Sequence, residues 1–314
     1  MTHSPARRNA RIMARCTWVF LGCAAALLSS PGAVASAPPT PVHRPASCDQ
    51  SRVERIPART ASAPSGSEFA RRAETLSGPD RDRLVRAELL AGNIPQFLRR
   101  LVPVQIGDAA VELTVCVLPD YLAVGSNSDF VFVPMGLEAA LDVARQFGFE
   151  LPTTNLVDAI YQEAAVKLDP QPLPPGDAMR STAYFVHHNE LITEQRSALA
   201  APLGELTSGH KKDLVLTSRL WTVPGRVAIY GWHRGSGEPI QPLSTVHGAR
   251  YADYSHGVRF VSDTVYVDGV PRSLAAVFAE PALARLLSNE GPWTQFPERL
   301  LALMRQLAAE RVKP

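Results

Sequence analysis

Six of the eight histidines lie between His187 and His256, and the last part of that window carries groups able to do chemistry. It runs Tyr230-Gly231-Trp232-His233, then Ser244-Thr245-Val246-His247-Gly248, then Tyr251-Ala252-Asp253-Tyr254-Ser255-His256-Gly257-Val258-Arg259. Histidine changes charge near neutral pH and is the commonest metal ligand. The spacing His247-x5-Asp253-x2-His256 admits three readings. In the first, His247, Asp253 and His256 hold a divalent metal such as zinc, with an open position for water and His233 as base or fourth ligand. In the second, no metal is needed: Asp253 orients a histidine that acts as general base, and Ser255 is a candidate nucleophile. No G-x-S-x-G elbow surrounds that serine, and HExxH is absent. In the third, the same residues form a structural polar network.

Around this core stand candidate substrate-binding groups. Arg259 offers a guanidinium fork for a carboxylate. Trp232, Tyr251 and Tyr254 offer rings for a sugar to stack on. Ser208-Gly209-His210-Lys211-Lys212-Asp213 precedes a strand; the two lysines, Lys211 and Lys212, suit an anionic group and His210 can join the site, while a solvated loop explains the same run. His188 shares a helix face with Phe185 and Ile192, which points to a packed histidine. Asp120, Tyr121, Ser126 and Asp129 read equally as a cleft edge or as a turn.

The stretch from Val227 to Phe260 resembles the catalytic segment of L,D-transpeptidases, secreted cell-wall enzymes. The likeness rests on an apolar strand ending in Gly231-Trp232-His233, a loop, and Ser255-His256-Gly257-Val258-Arg259. It departs from that pattern where the family has its cysteine, since Val258 follows Gly257. The spacing is one residue short, and His233 follows its glycine instead of preceding it. The resemblance therefore implies a related fold and an extracytoplasmic location but not the family's acyl-thioester chemistry. The chain as a whole resembles secreted bacterial proteins of unknown function.

The elements that must position these residues are mixed. Phe69, Leu76, Leu84, Leu89, Leu90, Phe97 and Leu101 predict helix over 67–101, divided at Gly92 and Pro95. From Ala109 the period changes to two, and Val111, Leu113, Val115 and Val117 predict a half-buried strand. Short strands are expected over 121–124 and 129–133. A helix capped at Thr153 or Thr154 should follow, with Leu156, Val157, Ile160 and Tyr161 on its apolar face. A further helix is expected over 181–199, and strands over 214–216, 227–230, 258–261 and 264–267. Val267-Asp268-Gly269-Val270 is a hairpin signal. Ser273, Pro281 and the apolar positions of 297–311 predict three closing helices. Without a steady βαβ repeat, the expected class is α+β: a mixed sheet core with packed helices, a helical N-terminal extension over 67–108 and C-terminal helices.

The N-terminus reads as a targeting segment. Arg7, Arg8, Arg11 and Arg15 precede an apolar run from Cys16 to Leu28, and Ala33-Val34-Ala35 offers a cleavage site. Residues 1–35 are expected to be removed, 36–66 to form a flexible Pro/Ala/Ser linker, and 67–314 to form a single domain. The chain's formal charge of +2 includes those four arginines, so the exported part is slightly acidic. No Lys/Arg stripe with interleaved aromatics suggests nucleic-acid binding. No other long apolar run suggests a transmembrane segment after signal removal. Cys48 and Cys116 remain; a bridge between them and two free thiols are both open, and neither cysteine lies near the histidines in sequence. The expected function is a secreted or periplasmic hydrolase or transferase acting on a cell-envelope polymer (peptidoglycan or a related glycan or peptide) or a small-molecule substrate. The competing reading is a non-catalytic envelope module that binds a polymer or partner.

Overall fold

Alternating Leu113, Val115 and Val117 build the strand Glu112–Val117, but Thr114 and Cys116 between them are buried too, so the strand expected to be half-buried is covered on both faces. It is an inner strand of one sheet in a computed structural model that describes residues 47–223 and 225–311. The expectations for 1–35 and for 36–46 lie outside the described residues. The described residues belong to one compact unit, and the class is α+β.

The chain opens with α1 (Ser51–Glu54), α2 (Gly66–Ala73) and α3 (Gly78–Leu90). The linker expected over 36–66 is therefore corrected from residue 47 onward. Val53 and Ile56 enter the core. Arg59 donates to Asn93 Oδ1 and to the Ala63 and Pro64 carbonyls. Cys48 and Cys116 form a disulfide with Cα atoms 5.7 Å apart. The sparse apolar content of 47–66 gave no sign that a disulfide, the half-buried Arg59 and the two core side chains Val53 and Ile56 together hold the segment.

Strands β1 (Val102–Gly107) and β2 (Glu112–Val117) are an antiparallel pair; β1 was not anticipated, because Pro103 interrupts its alternation. The hairpin β3 (Ala123–Gly125) and β4 (Phe130–Phe132) follows, then α4 (Leu137–Phe147), β5 (Phe149–Glu150) and α5 (Thr154–Glu163). Thr153 caps α5, its hydroxyl accepting from Leu156 N. Next come β6 (Val166–Lys167), α6 (Thr182–Ala198), β7 (Thr207–Ser208), β8 (Lys212–Leu214), α7 (Arg219–Thr222), β9 (Ile229–His233), β10 (Pro239–Ser244) and β11 (His256–Gly257). The chain closes with β12 (Val261–Val267), β13 (Val270–Ser273), α8 (Leu274–Ala279), α9 (Pro281–Leu287) and α10 (Phe296–Arg311). The β12–β13 turn uses Asp268 and Gly269 at φ 47° and 80°, as an Asp-Gly hairpin requires. The strands expected over 258–261 and 264–267 are one strand, β12, that begins at Val261.

Two larger sheets result. One has the order β1-β2-β12-β13, with β5 also paired to β12. The other has the order β10-β9-β8-β11, with β11 parallel to β8 and the rest antiparallel. The second sheet carries His233, Lys212 and His256 on adjacent strands. Helix α5 packs against β9 and brings Asp158 to His233. No helix among the described residues is long and apolar enough to cross a membrane.

Candidate functional site

The predicted histidines fall in two places: His247 and His256 lie against the Tyr251 ring near Asp253, and His233 pairs with a residue of another element. His233 ends β9, where the apolar run Val227–Ile229 anchors it. Its partner is Asp158 on α5, 75 residues away, with Nε2 to Oδ1 at 2.8 Å. The Tyr230 hydroxyl donates to both Asp158 oxygens, each at 3.0 Å. Burial, and the Asp158 charge beside it, push the Tyr230 hydroxyl's titration well above its usual range, so it stays a donor. Tyr161 stacks on the His233 ring at 4.5 Å and 16°, and its hydroxyl donates to Arg234 O at 2.6 Å. His233 is buried while the Asp158 side chain is 40% exposed. The pair lies on the wall of an open cavity of about 520 Å³, with Lys167 and the Gly235–Gly237 turn on other walls.

His256 and Asp253 sit elsewhere, in the interior. His256 begins β11 beside Lys212 of β8, and both are in register with Gly231 of β9. Its Nε2 lies 3.8 Å from Asp253 Oδ2, too far for a hydrogen bond. Burial pushes the imidazole down to about 4 despite that carboxylate, so the ring is neutral at neutral pH. Asp253 is held instead by Ser255, whose backbone N–H and hydroxyl donate to Oδ1 at 2.8 and 2.6 Å. The Tyr251 hydroxyl donates to Oδ2 at 3.1 Å. Ser255 is thus fully buried and aimed at a carboxylate, not at a histidine base, which removes the arrangement expected of a nucleophile. His247 is stacked face to face on Tyr251 at 3.9 Å. Among the described residues no group of three or more His, Cys, Asp or Glu is disposed to hold a metal ion. The expected set His247, Asp253 and His256 is not assembled as one, because the Tyr251 ring stacks on His247 and meets the edge of His256.

The expected substrate contacts are corrected for the same reason, burial. Arg259 is fully buried: Nη1 donates to Leu118 O at 2.8 Å, Nη2 to Thr207 O at 2.5 Å, and the guanidinium lies 4.4 Å over the Tyr121 ring. Tyr254 is buried, its hydroxyl bonded to Leu173. Trp232 is buried beneath the Lys212 ammonium, which is 4.8 Å from its ring. Tyr251 has one face taken by His247. Lys211 is buried, with Nζ on Tyr254 O at 2.6 Å and His188 Nδ1 at 3.0 Å, and burial pulls its ammonium down to about 7. His188 is the packed histidine the sequence suggested. His210 is buried against the Tyr121 and Phe132 rings, 3.3 Å from Asp120. Asp120 also pairs with Arg196 at 2.6 Å. Burial alone would raise the Asp120 carboxyl, but His210, Arg196 and Arg259 hold it below the usual range.

A continuous interior network follows. Asp213 accepts from the Tyr121 hydroxyl at 2.8 Å, and burial raises its carboxyl to about 6. These buried groups connect the segment 118–121 after β2 with β7, β8 and α6 through charge-assisted bonds. Their role is architectural. The residue that sequence reasoning missed is Asp158. In sequence it reads as a solvated position between Val157 and Ala159, and nothing local marks it.

Comparison with protein families, curated proteins and solved structures finds no match for this chain. The likeness to the L,D-transpeptidase segment thus gains no relative from any of the three. In the structure Val258, where that family has its cysteine, is buried in the core.

Proposed function

We propose that the protein is an extracytoplasmic hydrolase or transferase acting on an envelope polymer, with Asp158 and His233 as its acid–base pair. The observation that carries this reading is the partly exposed Asp158 carboxylate on an open cavity, fixed from behind by His233 Nε2 and the Tyr230 hydroxyl. Three hydrogen bonds hold it on two rigid elements, α5 and β9, as a reacting group requires. With Nε2 protonated, His233 donates to Asp158. Asp158 takes the proton of the attacking hydroxyl, which is water in hydrolysis or an acceptor group in transfer. As the scissile bond breaks, Asp158 returns that proton to the leaving group. His233 spreads the carboxylate's charge and fixes its orientation throughout. Support for the location comes from the basic-apolar-small N-terminal pattern and from the Cys48–Cys116 disulfide, which persists in oxidising compartments.

The test is incubation of the purified protein with isolated peptidoglycan, with released fragments followed by mass spectrometry. Asp158→Asn should lower the rate about 10²–10⁴-fold with little change in melting temperature. Normal turnover by that variant refutes the assignment. A second reading is favoured by one observation: the Asp253–His256 cluster, where the sequence placed the chemistry, is sealed from solvent. In that reading the fold binds an envelope polymer without cleaving it, and the wild-type protein sediments with peptidoglycan but releases nothing.

A further inference from the structure

Helices that pack on each other normally meet through apolar side chains. Helices α3 and α4 pack together, yet part of their shared face is polar. Pro79, Asp82, Arg83 and Arg86 fall at i, i+3, i+4 and i+7, one face of α3. With Glu138, Ala139 and Asp142 of α4 and the segment Ala249–Arg250, they line a cavity of about 270 Å³. No residue lines both this cavity and the Asp158–His233 cavity. The exposed Arg83 and Arg250 mark where it opens to solvent. Small residues make the room: Gly136, Ala139 and Ala249. Gly136 also lets two acceptors approach one stretch of wall. From the point where a Cβ on Gly136 would stand, Asp82 Oδ2 is 2.8 Å away and Ala249 O is 2.9 Å away.

Asp82 is the one charge on these walls without a counterpart. Arg86 pairs with Asp142, and Arg83 with Asp80. Glu138 and Arg250 are opposite in sign. Asp82 accepts from Gly136 N at 3.0 Å and makes no ion pair among the described residues. Its neighbour Arg81 is engaged elsewhere: Nη1 donates to Arg180 O at 2.6 Å, and the guanidinium lies 4.1 Å over the Phe185 ring. Burial, with Glu138 nearby, raises the Asp82 carboxyl to about 6 against the pull of the Gly136 N–H and of Arg81. Capping the first turn of α4 accounts for one oxygen of this carboxylate. It does not account for an unpaired charge kept beside a cavity, which burial makes costly.

We infer that this cavity binds a small primary amine, its ammonium held by the Asp82 carboxylate and the Ala249 carbonyl. The inference does not depend on the role of Asp158 and His233. A protonated amine brings one positive charge, which the Asp82 carboxylate balances, and three donors. The Ala249 carbonyl accepts from Leu137 N at 2.8 Å and keeps a second lone pair for one of them. A divalent metal fits less well: it takes about six or more oxygens, and here one carboxylate is unpaired. The volume lies just under the ~300–1,000 Å³ typical of small-molecule sites, so the ligand is a single small molecule and not a polymer.

The experiment is an NMR titration of the purified protein carrying ¹⁵N-glycine and carbonyl-¹³C-methionine. Gly136 is the one glycine that follows a methionine in the sequence, so this labelling isolates its amide, the donor to Asp82 Oδ2. At neutral pH and matched ionic strength, n-butylamine should move that signal and saturate. n-Butanol, its neutral counterpart, and tetramethylammonium, a cation without an N–H, should leave it in place. Asp82→Asn keeps an acceptor for Gly136 N and should weaken butylamine binding about tenfold or more. Ala139→Leu keeps the carboxylate, fills the cavity and should weaken binding as much. Circular dichroism checks that both variants fold, and Asp82→Asn decides alone where Ala139→Leu does not. Asp158→Asn should bind as wild type, so a failure here is distinct from a failure of the catalytic reading. No saturable movement overturns the proposal, as does binding unchanged in Asp82→Asn or in folded Ala139→Leu. Equal movement with butanol or tetramethylammonium, or tighter binding of calcium, overturns the amine assignment.

Discussion

Arg259 is the sharpest test of whether the interior network is architecture or site. Its side chain is fully buried and bridges the Leu118 and Thr207 carbonyls, which belong to segments far apart in sequence. It also lies over Tyr121 and helps to neutralise Asp120 and Asp213. Arg259→Met keeps the stem and removes the charge. Two carbonyls then lose charged donors, each bond contributing roughly 1.5–3 kcal/mol, and two buried carboxylates lose a neighbouring cation. Breaking such an arrangement typically costs about 3–5 kcal/mol. For a domain of this size that corresponds to a fall of about 10 °C or more in melting temperature. Arg259→Lys should recover little, because an ammonium cannot span both carbonyls or lie flat on Tyr121. Thermal unfolding followed by circular dichroism, with the disulfide intact, reads the effect. A variant that melts within a degree or two of wild type while losing ligand or polymer binding would refute this reasoning and return Arg259 to the substrate.

Three further outcomes are expected. Replacing both Cys48 and Cys116 by alanine should lower stability by roughly 4 kcal/mol, from the loop closed across a separation of 68 residues, read as a fall in the guanidinium midpoint. Little change there would mean that the tail docks without its bridge. Glu150→Gln should stabilise the protein at pH 8 and have little effect near pH 4. Burial, with Asp263 nearby, raises the Glu150 carboxyl to about 7, so its contribution is present below the unfolded value and lost as pH rises through 7. The expected gain is on the order of 2–3 kcal/mol, read as the difference in melting temperature between variant and wild type across that range; a difference independent of pH contradicts it. Gly257→Ala should destabilise by about 1–3 kcal/mol, because an added Cβ would stand 2.5 Å from the Tyr121 ring and 2.8 Å from Lys211 Cβ. A variant with unchanged stability and an unshifted Tyr121 environment in near-UV circular dichroism would show that the ring yields.

Local physics was legible in the chain. Period-two alternation located β2, Thr153 and Ser273 announced the caps that their hydroxyls make, and Asp268-Gly269 specified a hairpin whose two residues both take positive φ. These features depend on neighbours a few residues apart, so the sequence alone determined them, together with the α+β class. The cluster from Tyr251 to Arg259 was legible only as unusual. Whether a histidine or arginine in it faces a cleft or the core depends on which distant segment covers it. Tertiary packing decided that Tyr121 and Thr207 enclose Arg259, and that Asp253 is bound by its own neighbours Tyr251 and Ser255. It also decided that His233 meets Asp158, a residue with no mark in its own neighbourhood, because α5 packs on β9. A charged side chain in sequence carries no sign of its burial. The partners that make burial tolerable come from other parts of the chain and exist only once the fold has closed.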